Sequence, residues 1–167
     1  MNDFEKYVQR YLNLIPSDNW IEELTESGKK TVEIYSDISE KQSLFAYDTG
    51  KWTLKELLLH LSDTERVFQY RILAIARGDQ NELLGFDENS YANSSFANER
   101  SLQSLIEEYK LIRNSSEILL KSARSSALQN VGNANGNRIS AETIGKLIVG
   151  HNIHHLNIIS ERYLPFL

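Results

Sequence analysis

The side chains in this sequence best suited to chemistry are its four histidines, His60, His151, His154 and His155. Histidines four residues apart on a helix project side by side and can bind one metal ion together. His151 and His155 have this spacing. On a helical wheel both fall near the middle of an apolar stripe, where a core leucine would be expected, whereas His154 falls on its flank.

His60 is the predicted third ligand, because it lies beside the apolar stripe of another helix and can reach inward. Three neutral imidazoles with open coordination positions are typical of a catalytic zinc-type site rather than a closed structural one. The other interpretation is a set of core histidines whose ring nitrogens have found hydrogen-bond partners. The spacing leaves both interpretations open. It does not identify the metal, for which zinc and nickel are our first expectations.

Two charged residues on the predicted His60 helix have two interpretations each. Asp63, one turn from His60, could orient a ligand ring through a hydrogen bond. Alternatively it is a helix charge that pairs with Arg66 or Arg71. Arg71 lies on nearly the same side of the helix as His60, about three turns along. It could bind an anionic substrate group or pair with a carboxylate of the bundle.

Asp87, Glu88 and Tyr91 lie in an irregular segment, about 80–98, that follows the His60 helix. A long ordered loop in a small helical protein is often functional. Glu88 is therefore the candidate general base, with a solvated loop carboxylate as the alternative.

Amphipathic helices must position these side chains, because apolar residues recur with helical spacing along most of the chain. Asn19 with Glu22 and Thr53 with Glu56 resemble capping boxes, which open helices. Five segments show the periodicity: about 4–15, 19–36, 53–78, 101–119 and 140–163.

No stretch alternates with a period of two, so no sheet is predicted. The Asn- and Gly-rich segment 126–139 is predicted to be an exposed loop. Several helices of this length favour an all-α, up-and-down four-helix bundle with the metal site in its core. Its 167 residues suit a single domain, 1–167.

Composition excludes several classes of function. The sequence has no cysteine, which rules out disulfides, thiolate metal sites and cysteine nucleophiles. Its net charge is −5 and its basic residues are scattered, so no nucleic-acid partner is expected. There is no secretory signal and no apolar run long enough to span a bilayer. We therefore expect a cytoplasmic protein without a membrane partner.

Three segments of the sequence resemble the DinB-like family over about 20–164. They are GKWTLKELLLHLSDTERVFQYRILAIARGD (50–79), LLGFDENSYA (83–92) and GHNIHHLNIISERYL (150–164). Members of that family look like four-helix bundles with a three-histidine metal site. By position in its motifs, the resemblance implies that His60, His151 and His155 are the ligands and that His154 is not.

The resemblance does not specify a reaction, since the family includes thiol S-transferases of the bacillithiol type, mycothiol-dependent isomerases and many members with no assigned activity. It implies a metal-dependent transferase or hydrolase with a small-molecule substrate, and for a transferase a low-molecular-weight thiol as cosubstrate. On resemblance alone, thiol transfer is the first expectation. The alternative is a non-catalytic metal-binding or stress-response module.

The predicted last helix carries a second apolar group, Val149, Ile153 and Leu156, on a face away from the histidine stripe. A helix that is apolar on two faces must be covered on both. The first helical segment could cover this group within the chain, or a second copy could do so across a two-fold axis. We expect a homodimer, as relatives often look dimeric.

Overall fold

The computed structural model describes residues 1–167, most of which are helical. None of the helices is both long and apolar enough to cross a membrane. The α-helices are α1 (Asp3–Leu12), α2 (Trp20–Ser36), α3 (Leu54–Ala76), α4 (Glu88–Ser94), α5 (Leu102–Ser122), α6 (Ser125–Leu128) and α7 (Ala141–Ile158). The strands are β1 (Glu82–Leu83), β2 (Val131–Ala134) and β3 (Asn137–Ser140).

The five predicted helices are present as α1, α2, α3, α5 and α7, and α7 continues as a π-helical turn to Tyr163. The capping box at the start of α3 is confirmed. Thr53 Oγ1 accepts a hydrogen bond from the Glu56 amide at 3.1 Å, and the Glu56 carboxylate accepts one from the Thr53 amide at 2.7 Å. The box predicted at Asn19 is wrong, because that side chain donates to the Glu22 carboxylate and caps no backbone group.

The four long helices, α2, α3, α5 and α7, form a bundle in which α2 and α3 each pack against both α5 and α7. α3 and α5 are parallel, since Lys55 bonds the Arg100 carbonyl just before α5 and Gln69 bonds Ser116 further along it. The predicted up-and-down connectivity is therefore wrong, because it would make these consecutive bundle helices antiparallel. The connecting segment 77–101 must run back along the bundle.

A layer of buried polar side chains divides the apolar core into two clusters. Every helix of the bundle passes from one cluster to the other through this layer. Its members are Ser27 and Thr31 on α2, His60, Ser62, Thr64 and Glu65 on α3, Arg113 and Ser116 on α5, and His151, Asn152 and His155 on α7. The histidines thus lie near the middle of the bundle.

A three-stranded sheet corrects the prediction that the chain has no strands. β2 and β3 form an antiparallel hairpin, and β1 pairs with β2 in parallel. Asn135 and Gly136 make the turn with φ values of 50° and 75°, which suits the two-residue turns that asparagine and glycine favour. The segment 126–139 is therefore not an exposed loop, and Ala134 and Ile139 are buried.

The second apolar face of α7 is covered within the chain, since both α1 and α2 pack against α7. Val149 and Leu156 are buried, and Ile153 is partly buried against the cluster that contains Tyr11. At Gly150 the Tyr11 carbonyl approaches so closely that a Cβ atom could not fit. The homodimer therefore stays a prediction. The uncovered apolar face of α7 that suggested it is not present in the structure.

Candidate metal centre

The three predicted ligands come together in the polar layer of the bundle. His60 projects from α3, and His151 and His155 project from α7 one turn apart. Nε2 of His151 lies 3.1 Å from Nε2 of His60 and 3.1 Å from Nε2 of His155. Nitrogen atoms of the three rings all lie within 4.8 Å of one another, close to the spacing required by one ion with bonds of about 2.1 Å.

Burial keeps these rings neutral. His60, His151 and His155 are each less than a tenth exposed. Burial lowers the pKa of His60 to about 4. Burial first, and then the neighbouring histidines, also hold the pKa values of His151 and His155 well below the usual range. Near neutral pH all three offer unprotonated nitrogens, the form that binds a metal.

Aromatic rings pack around the triad. The Trp52 ring centroid lies 4.6 Å from that of His60. Tyr11 and Phe68 lie 5.8 and 6.4 Å from His151 on the same measure. Apolar walls of this kind strengthen electrostatic interactions at the centre.

No carboxylate binds the outer nitrogens of the triad. Nδ1 of His60 lies 3.5 Å from Thr64 Oγ1, and Nδ1 of His155 is buried without a hydrogen-bond partner. Asp63 accepts instead from Arg66 Nη1 at 3.0 Å. Of the two interpretations of Asp63, the ion pair is the one observed. His154 is partly buried outside the triad, with its ring centroid 5.5 Å from that of Tyr11 and 5.1 Å from that of His155.

A cavity of about 370 Å³ borders the triad at His151. Two parts of the chain outside the bundle complete its walls: α1, and the loop and hairpin residues Gly85–Phe86 and Ala134–Asn135. Its lining residues are Phe4, Tyr7, Arg10, Tyr11, Thr64, Phe68, Arg71, Gly85, Phe86, Glu88, Ala134, Asn135, Ile139, Ile144, Leu147 and His151.

A second cavity, of about 230 Å³, borders the triad at His155. Trp52 and Tyr163 line it, together with Asn89 from the first turn of α4. Since Glu88 lines the first cavity and Asn89 the second, the start of α4 forms part of the wall of both.

The other candidates from segment 80–98 have distinct places. Glu88 lines the His151 cavity and is exposed, so it remains available as a base. Asp87 caps α4, accepting a hydrogen bond from the Ser90 amide at 2.6 Å, and that bond lowers its pKa. Tyr91 packs against the Phe86 ring and lines neither cavity.

A buried ion pair beside the centre was not anticipated from the sequence. Arg113 Nη2 donates to Glu65 at 2.8 Å and to Asn152 Oδ1 at 2.6 Å, and Asn152 directly follows His151. Burial alone would lower the pKa of Arg113, but the charges and hydrogen bonds of its neighbours, led by the charge of Glu65, together raise it. The available signal was a charge on an apolar stripe, since Glu65 has the helical spacing of Leu61 and Phe68.

Comparison with known proteins identifies the class to which this bundle belongs. The family model of the DinB superfamily matches residues 23–159, so the chain belongs to the DinB superfamily. Among solved structures, YfiT from Bacillus subtilis matches with a TM-score of 0.77 and 19% identity, over 86% of this chain and 83% of that one. It is described as a probable metal-dependent hydrolase with an unusual four-helix bundle topology. A search of curated proteins finds no match.

Proposed function

We propose that this protein is a metal-dependent enzyme in which His60, His151 and His155 hold one divalent ion, zinc or nickel in the first instance. The observation that carries the proposal is the convergence of three neutral imidazole nitrogens beside a cavity of about 370 Å³. Three histidines leave coordination positions open for a small molecule.

The donor set fits such an ion. Imidazole nitrogens suit zinc, nickel, copper and iron, and the low pKa values of these rings remove competition from protons near pH 7. A divalent ion held by neutral ligands keeps its charge and lowers the pKa of a water or thiol nucleophile.

Thiol transfer is the first candidate reaction, with a low-molecular-weight thiol as cosubstrate. Two cavities border the triad, one at His151 and one at His155, which gives room for two substrates. No carboxylate contacts the triad, and a thiol bound at an ion can lose its proton without a neighbouring base.

Hydrolysis is the second candidate, and Glu88 supports it. It is the one carboxylate that lines the His151 cavity, so it could accept a proton from an attacking water. The similar structure of YfiT carries the description of a probable metal-dependent hydrolase. A non-catalytic metal-binding or stress-response module would need no such cavity, and the cavity is our reason for preferring an enzyme.

Metal analysis of protein purified without a nickel column or chelator tests the site. We expect close to one ion per chain, lost in His151→Ala and His155→Ala but retained in His154→Ala. The His154 variant is the matched control, since it removes a neighbouring imidazole outside the triad. Equal occupancy in all three variants would overturn the ligand assignment.

Activity assays on the zinc-loaded protein separate the two reactions. Thiol consumption is followed with a panel of electrophiles, and hydrolysis with chromogenic esters. Thiol transfer predicts turnover that is lost in His60→Ala and kept in Glu88→Gln. Hydrolysis predicts that Glu88→Gln lowers turnover by roughly 10²–10⁴-fold, the usual contribution of a general base. An absence of turnover in both assays would favour the non-catalytic module.

A further inference from the structure

The His151 cavity contains a buried guanidinium group that has no anionic partner. Arg71 of α3 is only 9% exposed and lines the cavity. Its Nη2 donates to the Leu84 carbonyl at 2.7 Å, but its Nε is buried without any hydrogen-bond partner. It takes part in none of the salt bridges of the protein. The bundle carboxylate considered for Arg71 from the sequence is therefore not there.

This arrangement is unfavourable unless a ligand completes it. A buried charge without a counterion, and a buried N–H group without an acceptor, both raise the free energy of the folded protein. The contrast with Arg113 is direct, because that buried arginine pairs with Glu65 and bonds the Leu24 carbonyl. An anion bound in the cavity would supply Arg71 with a counterion, as Glu65 does for Arg113.

A second arginine faces the same cavity from α1. Arg10 Nη2 donates to the Tyr11 hydroxyl at 3.1 Å, and its guanidinium lies 4.9 Å from the centre of the Tyr11 ring. It too forms no salt bridge. The charged residues that line the cavity are Arg71, Arg10 and Glu88, so its lining is net positive.

The remaining walls describe the rest of the ligand. They are mainly aromatic and aliphatic, so they suit an apolar body rather than a sugar or a polyphosphate. The apolar side chains are those of Phe4, Phe68, Phe86, Ala134, Ile139, Ile144 and Leu147.

We propose that this cavity binds a substrate with a carboxylate and an apolar body, the carboxylate pairing with Arg71 and Arg10. The inference rests on the proposed function, because it places the carboxylate subsite beside the His151 edge of the metal centre. A guanidinium offers paired donors that match the two oxygens of a carboxylate. Arg10 lies outside the part of the chain matched by the family model, because α1 precedes residues 23–159.

Calorimetric titration with phenylacetate, against its neutral counterpart phenylacetamide, tests the subsite. Wild type should bind the acid and bind the amide at least about tenfold more weakly, since the amide lacks the charge. Arg71→Met should weaken binding of the acid roughly ten- to a hundredfold, as expected for the loss of a charge-assisted hydrogen bond. The affinity of Arg71→Lys for the acid should lie between those of wild type and Arg71→Met, because lysine keeps the charge without the paired donors.

Two further variants control for folding and for net charge. Arg77→Met removes an exposed arginine from the end of the same helix and should bind like wild type. Arg10→Met changes an exposed residue, so it should fold even if Arg71→Met does not, and should weaken binding severalfold. Helical circular dichroism monitors folding throughout.

Titrations of metal-free and zinc-loaded protein keep this test separate from that of the metal. If the protein bound no divalent metal, the proposed function would fall, yet the preference for the acid and its dependence on Arg71 should persist in the metal-free protein. Equal affinity for acid and amide, no saturable binding of the acid at millimolar concentration, or wild-type affinity in the Arg71 and Arg10 variants would each overturn the subsite. Binding of the acid that requires zinc and is unchanged in the Arg71 variants would also overturn the subsite, because the carboxylate would then bind the ion.

Discussion

Acidification of the metal-free protein should destabilise it well above the pH at which its carboxylates titrate. The folded pKa of His60 is about 4, below the usual value of 6.5, because burial disfavours the charged ring. Burial also depresses the pKa values of His151 and His155. At pH values between the folded and unfolded pKa, the unfolded chain therefore binds more protons than the folded protein. The free energy of unfolding thus falls as the pH falls.

The size of the effect follows from these pKa values. At about pH 5.5 an unfolded histidine with a pKa near 6.5 is about nine-tenths protonated, whereas His60 in the fold is still neutral. The difference lowers the free energy of unfolding by about 1.4 kcal/mol for one histidine. His151 and His155, whose folded pKa values are also depressed by burial, should add to this loss between about pH 7.5 and about pH 5.5. The contribution of His60 alone is already a substantial part of the 5–15 kcal/mol typical of a folded protein.

Urea unfolding of the chelator-treated protein, followed by circular dichroism across this pH range, measures the effect. His60→Gln removes one of the three titrating rings and should reduce the pH-dependent loss of stability by about 1.4 kcal/mol. His154→Gln, which changes a less buried ring, should reduce it less. A free energy of unfolding that is constant over the range, or a His60→Gln variant with the pH dependence of wild type, would refute the claim that these rings are buried and neutral.

Three substitutions test other parts of the fold by urea unfolding. Glu65→Gln leaves the buried charge of Arg113 without its partner and should lower the free energy of unfolding by about 3–5 kcal/mol. Glu117→Gln, which breaks a more exposed ion pair, should lower it by less than about 1 kcal/mol. Equal losses would contradict the burial of the first pair. Gly150→Ala should displace α1 and cost about 1–3 kcal/mol, with faster amide exchange in α1 as the second readout; unchanged exchange would show that α1 does not pack there. Gly136→Ala forces an alanine to a φ of 75° and should cost about 1 kcal/mol, and a neutral result would argue against this hairpin turn.

Local signals in the sequence were enough to locate the helices and to select the three histidines. The start of α3 was predicted correctly because a capping box involves residues only three positions apart. His151 and His155 could be paired because the spacing of four residues fixes their relation on one helix. The choice of His60 as their partner came from its own apolar stripe and from the family resemblance.

The sheet was missed for a reason that is also local. Asn135-Gly136 is a strong hairpin signal, but the flanking strands are four residues long and β1 only two. Strands this short show no clear alternation in the sequence. They exist because they pair with one another and pack on the end of α3, where Gly132 lies against Ile75.

Only the tertiary structure decided how the helices are ordered and what surrounds the histidines. The parallel arrangement of α3 and α5 sends segment 77–101 back along the bundle, which puts Glu88 beside the His151 cavity. Nor could the sequence show that Arg113 is paired with Glu65 whereas Arg71 has no counterion. Helical periodicity shows which face of a helix is buried. It cannot show which distant residue will meet that face, because this depends on the packing of the whole chain.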